Sequence, residues 1–219
     1  MHALIAVGSG RYADPWHPFA ENAAAVAALL EADGWSVTID DDLDSAMTRL
    51  DGVDMLVVSA GNPWGQGERG FGAPAASTEG LDAALARGIG VLGLHAASAS
   101  LRDYPAWGAA LGAVWIPDAS MHPPFEDAAR VHVLPHELTA GLDDFTLADE
   151  RYSWQQRIGA VTVLVDHEHD GTRHPLVWIR EHGPARIAYD ALGHNPRSYE
   201  AEEHRELVRR LARWVAREV

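Results

Sequence analysis

The chain holds 219 residues, 47% hydrophobic and 22% charged, which suffices for a full core. It reads as one globular domain over 1–219, neither disordered nor split in two. Its 32 acidic residues against 17 basic give a formal charge of -15. That field repels phosphate backbones and anionic lipid, so nucleic-acid and membrane-surface functions are disfavoured and an uncharged or cationic ligand fits better.

Cysteine is absent and every basic residue is arginine. Disulfides, thiol nucleophiles, thiolate metal sites, Schiff-base lysines and the Walker-A lysine are thereby removed. Histidine, carboxylate, hydroxyl and arginine chemistry remain. Met1 to Gly8 has no basic segment and too short an apolar run for a signal peptide. No stretch approaches the roughly 20 apolar residues of a membrane span, so the expected location is cytoplasmic.

In chain order, Ala3 to Val7 predicts a buried strand that stops at Gly8-Ser9-Gly10. A helix is expected over 18–32, ending at Asp33-Gly34, and a strand over 36–39 completes a β-α-β unit. A short helix over 45–50, a strand over 54–59, a helix over 78–87 and a strand over 90–94 follow, which predicts a parallel sheet covered on both faces. After Gly112 the apolar runs 130–134, 161–165, 176–179 and 185–189 read as antiparallel additions. A closing amphipathic helix in 198–219 carries Leu207, Val208, Leu211, Trp214 and Val215 on one face.

Ligands of open parallel sheets gather beyond the carboxyl ends of the strands. The first strand leads into an aromatic loop with Trp16 and His17. Gly8-x-Gly10 is a weak dinucleotide signal, because the third glycine is replaced by Ala13. The third strand leads into the glycine-rich loop 61–72 with Trp64, long enough to suggest a functional rather than a plain turn. The fourth ends in Gly93-Leu94-His95, the pattern of a nucleophile elbow with histidine where the nucleophile would stand. Asp166-His167-Glu168-His169-Asp170 has metal-ligand composition, but Asp170-Gly171 signals a hairpin, and the segment reads as a solvated tip. The last strand ends in Gly193-His194-Asn195. His95 and His194, with Glu150, could act as acid and base or hold one divalent cation; spacing leaves both uses open.

The string Gly93-Leu94-His95-Ala96-Ala97, then Trp107, Leu111-Gly112-Ala113, His122-Pro123, His136 to Leu142, Asp149-Glu150-x-Tyr152, Pro175 to Trp178, Ala185 to Tyr189, Leu192-Gly193-His194 and Trp214-Val215-Ala216, resembles in order the ThuA-like family, named for trehalose utilisation. The resemblance implies an α/β, flavodoxin-like (class I glutamine amidotransferase-like) three-layer sandwich, with a mostly parallel central sheet and antiparallel additions in the C-terminal half. It also implies a place in carbohydrate metabolism. Glutaminase activity is excluded, since that chemistry needs a cysteine at the elbow.

Carried over by resemblance, His95, Glu150 and His194 are the catalytic candidates and the candidate ligands of a divalent metal (Zn, Mn or Mg). Trp16, His17, Trp64, His122, Tyr152 and Asn195 are the candidates for substrate contact. The implied substrate is a disaccharide or glycoside, in native or 3-keto form, with a sugar dehydrogenase as functional partner and a homodimer as the family expectation. A non-catalytic sugar-binding or regulatory protein and a metal-dependent ester or amide hydrolase, the latter with Asp149 also on the ion, are the alternatives. Glu137 replaces a proline usual in the family, and the 63–71 loop and 167–174 tip match no family pattern.

Overall fold

The computed structural model describes residues 1–65, 67 and 70–218. Gln66, Glu68 and Arg69, in the glycine-rich loop, lie outside the described residues, as does Val219.

The elements run β1 (His2–Val7), α1 (Phe19–Ala32), β2 (Ser36–Asp40), α2 (Leu43–Ala46), β3 (Met55–Ser59), α3 (Ala75–Arg87), β4 (Gly90–Leu94), α4 (Trp107–Leu111) and β5 (Ala113–Val114). There follow β6 (Glu126–Val133), β7 (Phe145–Asp149), β8 (Gln156–Arg157), β9 (Thr162–His169), β10 (Thr172–His182), β11 (Ala185–Asp190) and α5 (Glu202–Val215). The main sheet has nine strands in the order β2-β1-β3-β4-β11-β10-β9-β6-β7, and β5 pairs with β8 separately. Two layers of helices enclose it in a three-layer sandwich of flavodoxin-like type: α1 packs against α5, and α2 against α3.

Local chemistry accounts for these elements. β3 and β4 are buried along their whole length, as continuous apolar runs must be when helices cover both faces. The edge strand β2 is the most exposed of the parallel set. Gly88 at φ +93 and Gly112 at φ +89 terminate α3 and α4 in the left-handed conformation that glycine adopts without penalty. α3 begins at Ala75, three residues before the expected start, because Pro74 opens its first turn. α5 buries Leu207, Val208, Leu211, Trp214 and Val215, the anticipated stripe.

The C-terminal half departs from expectation in one respect. β11 is no antiparallel addition: it pairs in parallel with β4 on one side and antiparallel with β10 on the other, joining the two halves of the sheet. From β11 the pairings to β10, β9, β6 and β7 are all antiparallel. After four reversals β7 again runs in the direction of β1, β3, β4 and β11. Its carboxyl end, which precedes Glu150, therefore lies at the same sheet edge as theirs.

On a flat sheet five strand spacings separate β4 from β7, roughly 24 Å at the usual inter-strand distance. Yet His95 Nε2, just past β4, lies 3.2 Å from Glu150 Oε1, just past β7. The antiparallel half must therefore curl over the site. Register shifts between Pro175 and Trp178, in the β9–β10 ladder, mark a bulged region that increases bending.

Candidate active site

Four loops at this edge converge. The loop after β1 brings Asp14 and His17, His95 follows β4, Glu150 follows β7, and His194 follows β11. His17, His95, Glu150 and His194 each offer one ligand atom, and all four atoms lie within 4.8 Å of one another.

His95 occupies an elbow at φ +41, a conformation that non-glycine residues seldom adopt. The chain continues as a single 3₁₀ turn, His95–Ser98. The elbow is held from behind, because Tyr189 Oη donates to the His95 carbonyl at 2.7 Å and Trp107 Nε1 to the Ala97 carbonyl at 2.8 Å. A Cβ on Gly93 would meet Leu111 Cδ1 at 2.6 Å, so a larger residue there would displace the Leu111 side chain under the elbow.

Hydrogen bonding orients the imidazoles. His95 Nδ1 lies 2.7 Å from the Ala191 carbonyl, which can only accept, so Nδ1 carries the proton and Nε2 presents a lone pair toward Glu150. His17 Nδ1 lies 2.8 Å from both oxygens of Asp14, which assigns its proton likewise; its Nε2 is buried without a hydrogen-bond partner. His194 Nδ1 stands 3.2 Å from Glu150 Oε1, an electrostatic contact too poorly aligned to count as a hydrogen bond. The three rings meet edge to face, with centroids 5.0–5.4 Å apart.

Burial alone would raise the Glu150 carboxyl, but positive charge on the adjoining His194 and His95 rings would hold it well below the usual range. Burial lowers His17 and so favours its neutral form; repulsion from His95 and His194 acts in the same sense, and Asp14 opposes them without reversing the shift. His194 is raised against its burial by Glu150. A carboxylate facing imidazole lone pairs in a buried site calls for a cation between them, either a proton or a metal ion. The donor set fits a metal: three nitrogens and one oxygen, with the far nitrogens of His95 and His17 fixed by a carbonyl and a carboxylate as metal-bound imidazoles usually are.

A cavity of about 590 Å³ opens over the cluster. Asp14, Trp16, His122, Tyr152 and Trp115 are among its walls, and among the described residues no arginine lines it. His122 Nδ1 stands 3.1 Å from Glu150 Oε2, on the side away from the three-imidazole cluster. Trp115 and His122 both stand against Tyr152, at 4.4 and 6.0 Å between centroids.

Of the residues singled out from sequence, His95, Glu150 and His194 meet, His17 joins them as a fourth possible ligand, and Trp16, His122 and Tyr152 line the cavity. Two do not line it. Trp64 turns back on its own loop, donating from Nε1 to the Gly70 carbonyl, and Asn195 caps the following 3₁₀ turn by accepting from Arg197 N. Asp149 does not turn to the ion site either. Its carboxylate accepts from the backbone N–H groups of Glu150, Gly193 and His194, tying the loop after β11 to the end of β7. Trp115 and Asp14 were missed. Aspartate three residues before His17 was a local clue, whereas nothing in sequence marked Trp115.

The histidine-rich tip also differs from its reading. Asp170 at φ +48 and Gly171 at φ +71 form the anticipated two-residue hairpin turn. However, Asp166 and His167 are buried in β9 rather than solvated, and His174 is buried opposite His167.

Fold and site together define an α/β protein with a histidine–carboxylate centre at the carboxyl edge of its sheet. The chain belongs to the ThuA family, described as trehalose utilisation, whose model matches residues 7–215. It is similar in fold to a ThuA-like protein from Parabacteroides merdae, at TM-score 0.76 and 17% identity over 98% of this chain and 89% of that one. A ThuA-like protein from Bacteroides uniformis gives TM-score 0.74 and 20% identity over 98% and 90%. A cytoplasmic protein from Salmonella typhimurium LT2 gives 0.67 and 12% over 98% and 99%. No curated protein matches the sequence.

Proposed function

We propose that this protein is a cytoplasmic, metal-assisted enzyme of carbohydrate catabolism acting on an uncharged disaccharide or glycoside. The observation that carries this reading is the convergence of three imidazoles and Glu150 on one point beneath an aromatic-walled cavity. The amidotransferase-like elbow here presents His95 instead of a thiol, so the scaffold serves chemistry without a covalent sulfur intermediate. Three imidazoles and a carboxylate suit Zn²⁺ or Mn²⁺ better than Mg²⁺, which prefers oxygen ligands.

The substrate form that best suits such a site is a 3-keto glycoside supplied by a partner sugar dehydrogenase. The ketone at C3 acidifies the C2 proton. A base removes that proton, the electron pair forms the C1–C2 double bond, the C1–oxygen bond breaks, and the departing alcohol takes up a proton. A divalent ion would supply polarisation of the ketone oxygen. His17, His95 and His194 would hold it with Glu150 Oε1. His122, on Glu150 Oε2 and 38% exposed at its side chain, stands where protons can pass between the centre and solvent. Trp16, Trp115 and Tyr152 offer the apolar surfaces on which sugar rings stack.

The test is NMR observation of native and 3-keto disaccharides with metal-depleted protein, before and after Zn²⁺ or Mn²⁺ is restored, with His95→Ala as control. Metal-restored turnover that the variant lacks supports the enzyme. Saturable sugar binding with no turnover under any condition overturns it in favour of a sugar-binding protein, and turnover of simple esters but no sugar in favour of a hydrolase.

A further inference from the structure

Beside the main cavity, at the same edge of the sheet, lies a second one of about 190 Å³. Tyr152 is a wall of both. The smaller cavity sits where β10 begins, beneath the segment that follows Tyr152, and takes no part in the function proposed above. Its charge is unusual for this protein. Four other cavities on the molecule each have an aspartate or glutamate in the wall. This one has none, and it has Arg157 and Arg173. Arg173 is bound to Asp166 at 2.5 Å, whereas Arg157 forms no ion pair among the described residues. An arginine with no ion pair among the described residues, in a chain of charge -15 and in a wall free of carboxylates, is a local positive site within a negative field.

The polar groups around the cavity are also incompletely satisfied. His174 is 4% exposed. Its Nδ1 accepts from Trp154 N at 3.4 Å, so the ring proton belongs on Nε2, which is buried near the His169 backbone but makes no hydrogen bond of good geometry. Burial keeps this ring neutral, and hence with a single N–H donor. Gln155 donates from Nε2 to Tyr189 Oη at 2.9 Å, but its Oε1 is buried and unpartnered. Unsatisfied donors and acceptors of this kind are costly in a folded protein and ordinarily find a partner. Over them, Trp154 is held at φ +58, half exposed, with its ring edge-on to His174 at 4.5 Å between centroids. The strained backbone keeps a large aromatic surface at the mouth of the cavity.

We propose that this cavity is a second ligand site, selective for a small hydroxylated anion. Its phosphate or carboxylate group would lie on Arg157, Arg173 and His174 Nε2–H, a hydroxyl would donate to Gln155 Oε1, and the carbon skeleton would rest against Trp154. Shared use of Tyr152 places such a ligand one side chain away from the main cavity. The two sources of anionic charge, phosphate and carboxylate, differ in geometry and are separable by experiment.

The test is titration of the full-length protein at pH 7.5 with inorganic phosphate, followed by ³¹P line broadening, and in parallel with lactate, followed by ¹H saturation transfer. Saturable binding at about 1 mM or tighter is expected for at least one of them. Arg157→Glu, a surface change that should leave the melting temperature near wild type, should weaken binding by about tenfold or more. Trp154→Ala should weaken lactate more than phosphate. His95→Ala, in the main centre, should leave both unchanged. Absence of saturable binding, equal binding by Arg157→Glu, which would mark an adventitious ion only, or loss of binding in His95→Ala would each overturn the proposal.

Discussion

The Ala191 carbonyl accepts from His95 Nδ1 at 2.7 Å, and this one bond decides which face of the imidazole is chemically available. With the proton held at Nδ1, the Nε2 lone pair points to Glu150 Oε1, 3.2 Å away. The carbonyl belongs to the loop that carries His194, so the orientation of one candidate ligand depends on the chain segment that supplies another.

Asp14 does for His17 what Ala191 does for His95, but with a full charge. In Asp14→Asn the side-chain amide no longer enforces the same tautomer, and His17 Nε2 loses its fixed lone pair. Metal affinity should fall by roughly 10–100-fold with little change in fold, as for other partners of metal-bound imidazoles. Competition with a chromophoric chelator, alongside a thermal melt, separates the two effects; unchanged affinity would remove His17 from the centre.

Asp149 accepts three backbone N–H groups in a fully buried position. Replacing it with asparagine turns an NH₂ toward at least one of those donors. Urea unfolding should show a loss of about 1–3 kcal/mol, the cost of unsatisfied buried polar groups. Metal affinity should fall as well, because Glu150 and His194 flank the broken contacts.

Gly193 sits at φ +100, and a Cβ there would run into the Tyr199 hydroxyl. Gly193→Ala should therefore combine left-handed strain with overpacking, about 2–4 kcal/mol in all. The measurement is again urea unfolding, and a neutral result would mean that the loop can relax away from Tyr199.

How much of this was legible in the sequence depends on distance along the chain. Strands β1, β3 and β4 are continuous apolar runs and the elbow is a contiguous string, so both could be read locally. The return of β7 to the parallel direction could not, because it results from four successive pairings. The same holds for Asp149: adjacency to Glu150 suggested a shared task, yet successive residues at a strand end face opposite ways. Trp64 and Asn195 looked like ligand contacts because aromatic and amide side chains in loops often are. Both instead satisfy their own backbones, as such residues commonly do in turns.

His167 has no solvent exposure, and burial pushes its imidazole down to about 4 from an ordinary 6.5, with Arg151, His174 and His169 adding repulsion and the Tyr152 carbonyl opposing. Since the folded value lies below the unfolded one, protons bind the unfolded chain more readily between them. This group's effect is thus absent above pH 6.5, and it destabilises the fold progressively as pH falls toward 4. His167→Gln, which keeps a donor for the Tyr152 carbonyl, should show a shallower decline of melting temperature over that interval. Parallel curves for wild type and variant would contradict the assignment.

We propose that His17, His95, Glu150 and His194 form a metal centre on which turnover of a sugar depends. The most direct test is to titrate metal-depleted protein with Zn²⁺ and with Mn²⁺ while following a 3-keto disaccharide by NMR. Turnover should rise with metal to a plateau at one ion per chain, and Glu150→Gln and His194→Ala should each abolish the rise. Turnover that is indifferent to metal, or a plateau unchanged in both variants, would contradict it.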